Sequence, residues 1–310
     1  MTTAGIVADG VRRSFGDVHA VRDVTLEARA GAVTGLIGPN GSGKTTLLLM
    51  LSSLLAPDAG SIRIAGVDPV ADPAAARALL GWMPDALGAW PSLTARETVA
   101  VTGRLYGLDR ERSAQRAAEL LSIVGLADLA DQPARVLSRG QKQRLGLARA
   151  LVHDPRVLLL DEPASGLDPQ ARIDLRVLLR RLAAEGRTIL ISSHILSELE
   201  EVVDDAVFLV AGATVSSERI AAAASRQRTW RVRLADRDAT AAVLPVAQTL
   251  GLDAALIPVD RRDVLLSFAS DTAAAEGLQA LVGAGLPVAE FSAAQGLLEH
   301  TFLDLEGGGR

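Results

Sequence analysis

Hydrophobic positions in the first third of the chain fall in short alternating or unbroken stretches, which predicts strands at Gly5–Arg13, Val21–Ala28 and Val33–Ile37. Glycines from Gly38 to Gly43 interrupt the pattern. Lys44–Leu55 follows as a helix with a heavily apolar surface, completing a strand–glycine loop–helix unit. Ser61–Ala65 reads as another strand. From Thr94 the period becomes helical, with Thr94 at an N-cap and Glu97 at the capping-box position three residues later. Arg110–Val124 is a second helix, closed by Gly125 just past its end, and Gln141–Val152 is a third. Arg156–Leu160, with its unbroken Val-Leu-Leu-Leu, suits a strand buried on both faces. Arg172–Glu185 is helical, Thr188–Ser192 a strand and Ile195–Val203 a helix. Ala206–Val210 and Ala213–Ser216 form a hairpin around Gly212. Parallel strands with intervening helices imply a layered α/β domain.

Around Ser217–Thr229 the chain turns into alanine, serine and arginine, which reads as a connector. Beyond it the pattern predicts strands at Trp230–Leu234, Ala254–Val259, Val264–Phe268 and Pro287–Phe291, with helices at Ala239–Leu250 and Thr272–Gly283. That β-α-β-β-α-β order fits a small ferredoxin-like α+β domain. The expected division is therefore a domain over residues 1–217 with a helical part at about 94–152, a linker over 218–229, and a smaller domain over 230–310.

Composition narrows the function. A chain of 310 residues suggests two domains, and 49% hydrophobic with 22% charged residues is enough to bury a full core. The formal charge of −5 argues against general nucleic-acid binding, which needs a basic footprint. With no cysteine, disulfides, cysteine metal sites and thiol nucleophiles are excluded. No run of 18 apolar residues and no signal-peptide pattern occurs, so the expectation is a soluble cytoplasmic protein. Lysine is reduced to Lys44 and Lys142.

Gly38-Pro39-Asn40-Gly41-Ser42-Gly43-Lys44-Thr45 matches the phosphate-binding pattern G-x-x-x-x-G-K-[ST], with Thr46 next in the helix. Glycines let backbone N–H groups converge on an anion in front of a helix N-terminus. Lys44 would bring a point charge to the β- and γ-phosphates, and Thr45 a hydroxyl to Mg²⁺. The strand Val157–Leu160 ends in Asp161 and Glu162, where a parallel sheet opens toward its ligand crevice. Asp161 would hold Mg²⁺ and Glu162 would orient or deprotonate the attacking water. An Asp-Glu pair alone is more often a helix cap or a solvated edge; the phosphate loop reverses that reading.

Leu137-Ser138-Arg139-Gly140-Gln141 precedes a helix some twenty residues before Asp161, and Ser165-Gly166-Leu167-Asp168 and His194 follow. In this order over residues 1 to about 217, the set resembles the nucleotide-binding ATPase subunit of ATP-binding-cassette transporters. The resemblance implies an ATP-binding-cassette fold, comprising a β subdomain, a RecA-like core and a helical subdomain. It also implies ATP hydrolysis with Mg²⁺, a homodimer, and a separate integral-membrane permease that places the chain at the cytoplasmic face of the membrane. Phe15 would stack on adenine, its alternative being a core phenylalanine. Leu137–Gln141 would face ATP held by the opposite subunit, Ser165–Asp168 would couple the two sites, and His194 would reach the γ-phosphate. Two departures stand out. Arg139 occupies a position where glycine is common, which leaves phosphate binding intact if the side chain points outward. Asp85, in Trp82-Met83-Pro84-Asp85, sits where the family carries a glutamine that touches Mg²⁺ and senses the permease. Trp90 and Pro91, in the loop Ala86–Leu93, would either line a groove for a partner helix or pack internally. The tail, ending Leu297-Leu298-Glu299-His300-Thr301-Phe302-Leu303, is similar to ATPases of bacterial drug, antibiotic and lipid exporters. A soluble cassette acting on DNA or ribosomes is the alternative. It lacks support from a second cassette, coiled-coil inserts or a basic surface.

Overall fold

The computed structural model describes residues 4–86, 88, 92–193, 195–224, 227–236, 241–252, 257, 259–260 and 263–307. The chain divides into two units, Met1–Val215 and Ser216–Arg310.

In the first unit, strands β1 (Ala4–Phe15), β2 (Val18–Arg29) and β4 (Ala59–Ile64) pair antiparallel. They run side by side with strands β3 (Val33–Ile37), β5 (Leu80–Met83), β6 (Val157–Asp161), β7 (Thr188–Ser192), β8 (Asp205–Val210) and β9 (Ala213–Thr214) in the order β4-β1-β2-β9-β8-β3-β7-β6-β5. The β8-β3-β7-β6-β5 part is parallel throughout. Its three central strands explain their own composition: β3, β6 and β7 are buried at every residue, as expected of strands covered on both faces. Helix α1 (Lys44–Leu51) packs Leu47, Leu48, Met50 and Leu51 into the same core as Leu36, Leu159 and Leu190. Each such side chain contributes about 1.5–3 kcal/mol when fully buried. The α1 end lies four residues earlier than the hydrophobic pattern predicts. Ser53 enters the left-handed region (φ 61) and the N–H groups of Leu54 and Leu55 both turn back to Leu49 O, which closes the helix.

Helix α2 (Pro73–Leu79) leads directly into β5 and was not visible in the hydrophobic pattern. It is short and alanine-rich, and its clearest signal is Asp72, whose side chain accepts from Ala75 N ahead of Pro73 at the first helical position. Helices α3 (Ala95–Leu105), α4 (Arg110–Ile123) and α5 (Arg139–Ala150) pack on one another. Thr94 caps α3 in a full capping box with Glu97. Helices α6 (Pro169–Ala184) and α7 (Leu196–Glu200) flank β7 in the sequence.

The second unit corrects the expected linker. Ser217–Ala224 is helix α8, and strand β10 (Arg228–Leu234) begins before the connector was expected to end. Alanine is the best helix former, and the Ser216 side chain accepts from Arg219 N at the helix start. The order continues with α9 (Val243–Thr249), β11 (Val259–Asp260), β12 (Asp263–Phe268), α10 (Asp271–Gly283), β13 (Val288–Ala293) and α11 (Leu297–Gly307). The four strands form an antiparallel sheet in the order β11-β12-β10-β13. Val232, Leu266 and Phe268 pack against Val243, Ala247 and Ala274 of α9 and α10. Most of the strand expected at Ala254–Val259, and the start of the helix expected at Ala239, lie outside the described residues.

Candidate functional site

The loop between β3 and α1 is a backbone cradle. Gly43 takes φ 99 at the N-terminus of α1, and no side chain caps that helix. The described longer helices α3, α4, α5, α6 and α10 all carry a side-chain cap. The N-terminal end of α1 therefore presents donors and the positive end of the helix dipole with no built-in acceptor, which suits an anion. A Cβ on Gly38 would come within 2.3 Å of Leu209 O, and one on Gly43 within 2.3 Å of Ala20 O, so both positions exclude any side chain. Ser42 Oγ is buried inside the loop without a hydrogen-bond partner among the described residues. This buried hydroxyl lies against Gly38, where a Cβ would come within 2.5 Å of it, and packs the loop from inside.

Replacing these glycines tests the cradle. Gly41 also has positive φ (81) but open space around it, so Gly41→Ala is expected to cost about 1–2 kcal/mol for the left-handed backbone alone. Gly43→Ala adds the clash with Ala20 O and costs more. Thermal denaturation without nucleotide measures both, and equal losses would contradict the packing described.

Lys44 is 8% exposed, and its Nζ donates to Gly38 O (2.7 Å) and Pro39 O (3.0 Å), folding the side chain back over the loop. Burial pushes this ammonium below the ordinary lysine range, and the negative charges of Glu162 and Asp161 oppose the shift. Thr45 Oγ1 donates to Asp161 Oδ2 at 3.3 Å, across 116 residues of sequence. Asp161 lies opposite Ser192 in the parallel β6–β7 pair, and Ser192 Oγ donates to its Oδ1 at 2.5 Å. Burial raises the Asp161 carboxyl, the hydroxyls of Ser192 and Thr45 pull it down, and the charges of Glu162 and Asp85 push it up again.

Glu162 sits at φ 51, a conformation that costs a non-glycine residue about 1–3 kcal/mol. Its backbone is held on both sides. The N–H donates to Ser192 O (3.2 Å) and Ser192 Oγ (3.1 Å), and the carbonyl accepts from Ser165 N (3.0 Å) and Gln143 Nε2 (3.3 Å). Gln143 Nε2 also reaches Asp85 O at 3.3 Å. Ser192 and Gln143 carried no motif. Their signal is positional: Ser192 follows from the strand register and Gln143 lies near the start of α5.

The stretch Leu137–Gln141 forms a second capping box, with Ser138 Oγ accepting from Gln141 N (3.2 Å) and Gln141 Oε1 from Ser138 N (2.8 Å). Arg139 does not simply point into solvent: its guanidinium donates to Ser165 Oγ at 2.7 Å and lies 3.9 Å from Asp85. Asp168 caps α6 through Ala171 N (2.9 Å), and Leu137 and Leu167 are buried. Phe15 is 49% exposed at the end of β1, with the Arg13 guanidinium 4.9 Å from its ring centre; it is not a core residue. His194, Trp90 and Pro91 lie outside the described residues. No described helix is long and apolar enough to cross a membrane.

A glycine cradle behind a buried parallel strand, with its lysine beside a strand-end carboxylate, defines a phosphate-binding α/β unit. The ABC transporter family matches residues 21–165. The daunorubicin resistance ATP-binding protein DrrA3 of Streptomyces coeruleorubidus is 33% identical over the whole of this chain and 98% of its own length. The Nod factor export ATP-binding protein I of Paraburkholderia xenovorans is 43% identical over 64% of this chain and 66% of its own. A solved ATP-binding subunit of an ABC transporter overlays 70% of this chain and 92% of its own with a TM-score of 0.64 at 28% identity. A dimeric bacterial ABC transporter cassette overlays 68% of this chain and 97% of its own, with a TM-score of 0.63 at 27% identity. The chain belongs to the ABC transporter family, as one of its ATP-binding, ATP-hydrolysing cassettes.

Proposed function

We propose that the chain is the ATPase subunit of an exporter, in which two copies close on two ATP molecules and act on a separate integral-membrane permease from the cytoplasmic face. The observation that carries the ATP site is the convergence of Lys44, Thr45 and Asp161 on the uncapped N-terminus of α1. The exporter reading rests on the full-length likeness to a daunorubicin resistance protein, which includes the second unit.

In this reading Gly38–Thr46 wraps the phosphates, with Lys44 as the counter-charge. Thr45 and Asp161 are hard oxygen donors suited to Mg²⁺, and Asp85 is a third candidate. Bound Mg²⁺ would neutralise charge on the phosphates. Glu162 takes the proton of the attacking water, held in place by its four backbone hydrogen bonds. His194, outside the described residues, is assigned the γ-phosphate by the family resemblance alone, and Phe15 offers an exposed ring face to adenine.

Leu137–Gln141 completes the site of the other subunit, and Ser165–Asp168 links the two. The capping role of Ser138 uses its oxygen as an acceptor and leaves its O–H free to donate. Residues 230–310 act as an accessory domain in assembly or regulation, and the β-α-β-β-α-β order from β10 to β13 with its antiparallel sheet favours a ferredoxin-like fold for it.

Mixing two defective chains tests the composite site. Ser138→Arg and Lys44→Ala should each be inactive alone. Mixed dimers contain one intact site and should recover turnover that rises with protein concentration. No recovery in mixtures that demonstrably form heterodimers would overturn the reading.

A further inference from the structure

The two departures from the family pattern meet in space. Arg139, at the start of α5, and Asp85, after β5, are 54 residues apart in sequence, yet guanidinium and carboxylate are 3.9 Å apart. The same Nη2 donates to Ser165 Oγ at 2.7 Å. The aliphatic stem is equally engaged. Gly166 takes φ 74, and a Cβ there would come within 2.9 Å of both Arg139 Cγ and Cδ. The adjoining Gly140 approaches so closely that its own Cβ would lie 2.8 Å from Gly166 O. Behind these contacts, Gln143 of the same helix donates to the backbone carbonyls of Asp85 and Glu162.

We propose that Arg139 is a positioning residue that ties the N-terminus of α5 to the Ser165–Asp168 loop and to Asp85, and that Asp85 and Arg139 function as a matched pair. The ion pair itself is exposed, with the Arg139 side chain at 69% and that of Asp85 at 51%, and contributes little by itself. Its weight comes from sharing one planar group with a short hydrogen bond and a packed stem, an arrangement that lysine cannot reproduce. A glycine at 139 would leave the Asp85 carboxylate without the guanidinium that lies 3.9 Å from it. A glutamine at 85 would remove the charge that Arg139 answers. Each residue thus makes the other tolerable, and the three segments move as one body. The tie is made by the chain's own side chains, so only its kinetic consequence rests on the ATPase reading.

The test uses the full-length protein. Hydrogen exchange without nucleotide, read on peptides covering 163–168, should rise about tenfold in Arg139→Ala, the scale of one hydrogen bond to a charged group. Arg139→Lys, which keeps the charge and most of the stem, should show an intermediate rise. In turnover, Arg139→Ala should lower kcat with little change in KM for ATP. Asp85→Gln with Arg139→Gly should be less impaired than the product of the two single effects predicts. Unchanged exchange in Arg139→Ala, or strictly multiplicative losses in the double variant, would overturn the proposal. Loss of ATP turnover in the unmodified protein would instead count against the functional reading and leave the exchange result standing.

Discussion

Glu162→Gln is expected to hydrolyse ATP about 10²–10⁴-fold more slowly while still binding it. The amide has the shape of the carboxyl group and leaves the backbone unchanged, so the φ of 51 stays anchored by Ser192, Ser165 and Gln143. What disappears is the proton acceptor and one negative charge. Lys44 loses a carboxylate that favours its charged form, but Asp161 remains to support it. Binding should therefore survive and a nucleotide-stabilised dimer should accumulate. Phosphate release measured beside fluorescent-nucleotide titration and light scattering separates the steps. Wild-type release rates would remove Glu162 from the role of base.

Lys44→Ala should act one step earlier, on binding itself. Its ammonium holds Gly38 O and Pro39 O and is the only lysine charge at the loop. Removing it deletes the counter-charge and leaves those carbonyls to repel an incoming phosphate. A hydrogen bond to a charged group is worth about 1.5–3 kcal/mol, so ATP affinity should fall roughly 10–150-fold and turnover should vanish. Lys44→Arg should not rescue it, because a planar fork does not fit a space sized for one tetrahedral nitrogen. Calorimetric titration gives the affinity directly. Normal binding by Lys44→Ala would show that the loop's backbone alone holds the nucleotide.

The parts of this molecule that were legible in its sequence are those whose cause is local. The glycine loop declares itself because only glycine adopts φ near 99 at residue 43 with Ala20 O pressed against it. The strand before Asp161 is an unbroken apolar run because β6 is buried on both faces. Thr94 and Glu97 announced α3 by spacing alone. What was hidden depends on register and on contacts distant in sequence. Ser192 reaches Asp161 only because β7 pairs with β6 in one alignment. The sequence makes phosphate binding conditional on Arg139 pointing outward, and nothing nearby in sequence reveals Ser165 or Asp85 as its partners. The stretch after residue 216 reads as a connector from its alanine, serine and arginine, although alanine favours the helix α8 that forms there.

The scarcity of lysine has a practical consequence. Of the two lysine side chains, Lys44 is buried in the loop with its nitrogen occupied by two carbonyls, whereas Lys142 is partly exposed one turn into α5 and, among the described residues, donates only to Arg135 O at 3.4 Å. An amine-reactive dye applied to the folded protein should therefore label the lysines almost exclusively at Lys142, with no engineered cysteine required. That places a fluorophore beside the segment proposed to face a second subunit, where energy transfer between two labelled copies would follow closing and opening in real time.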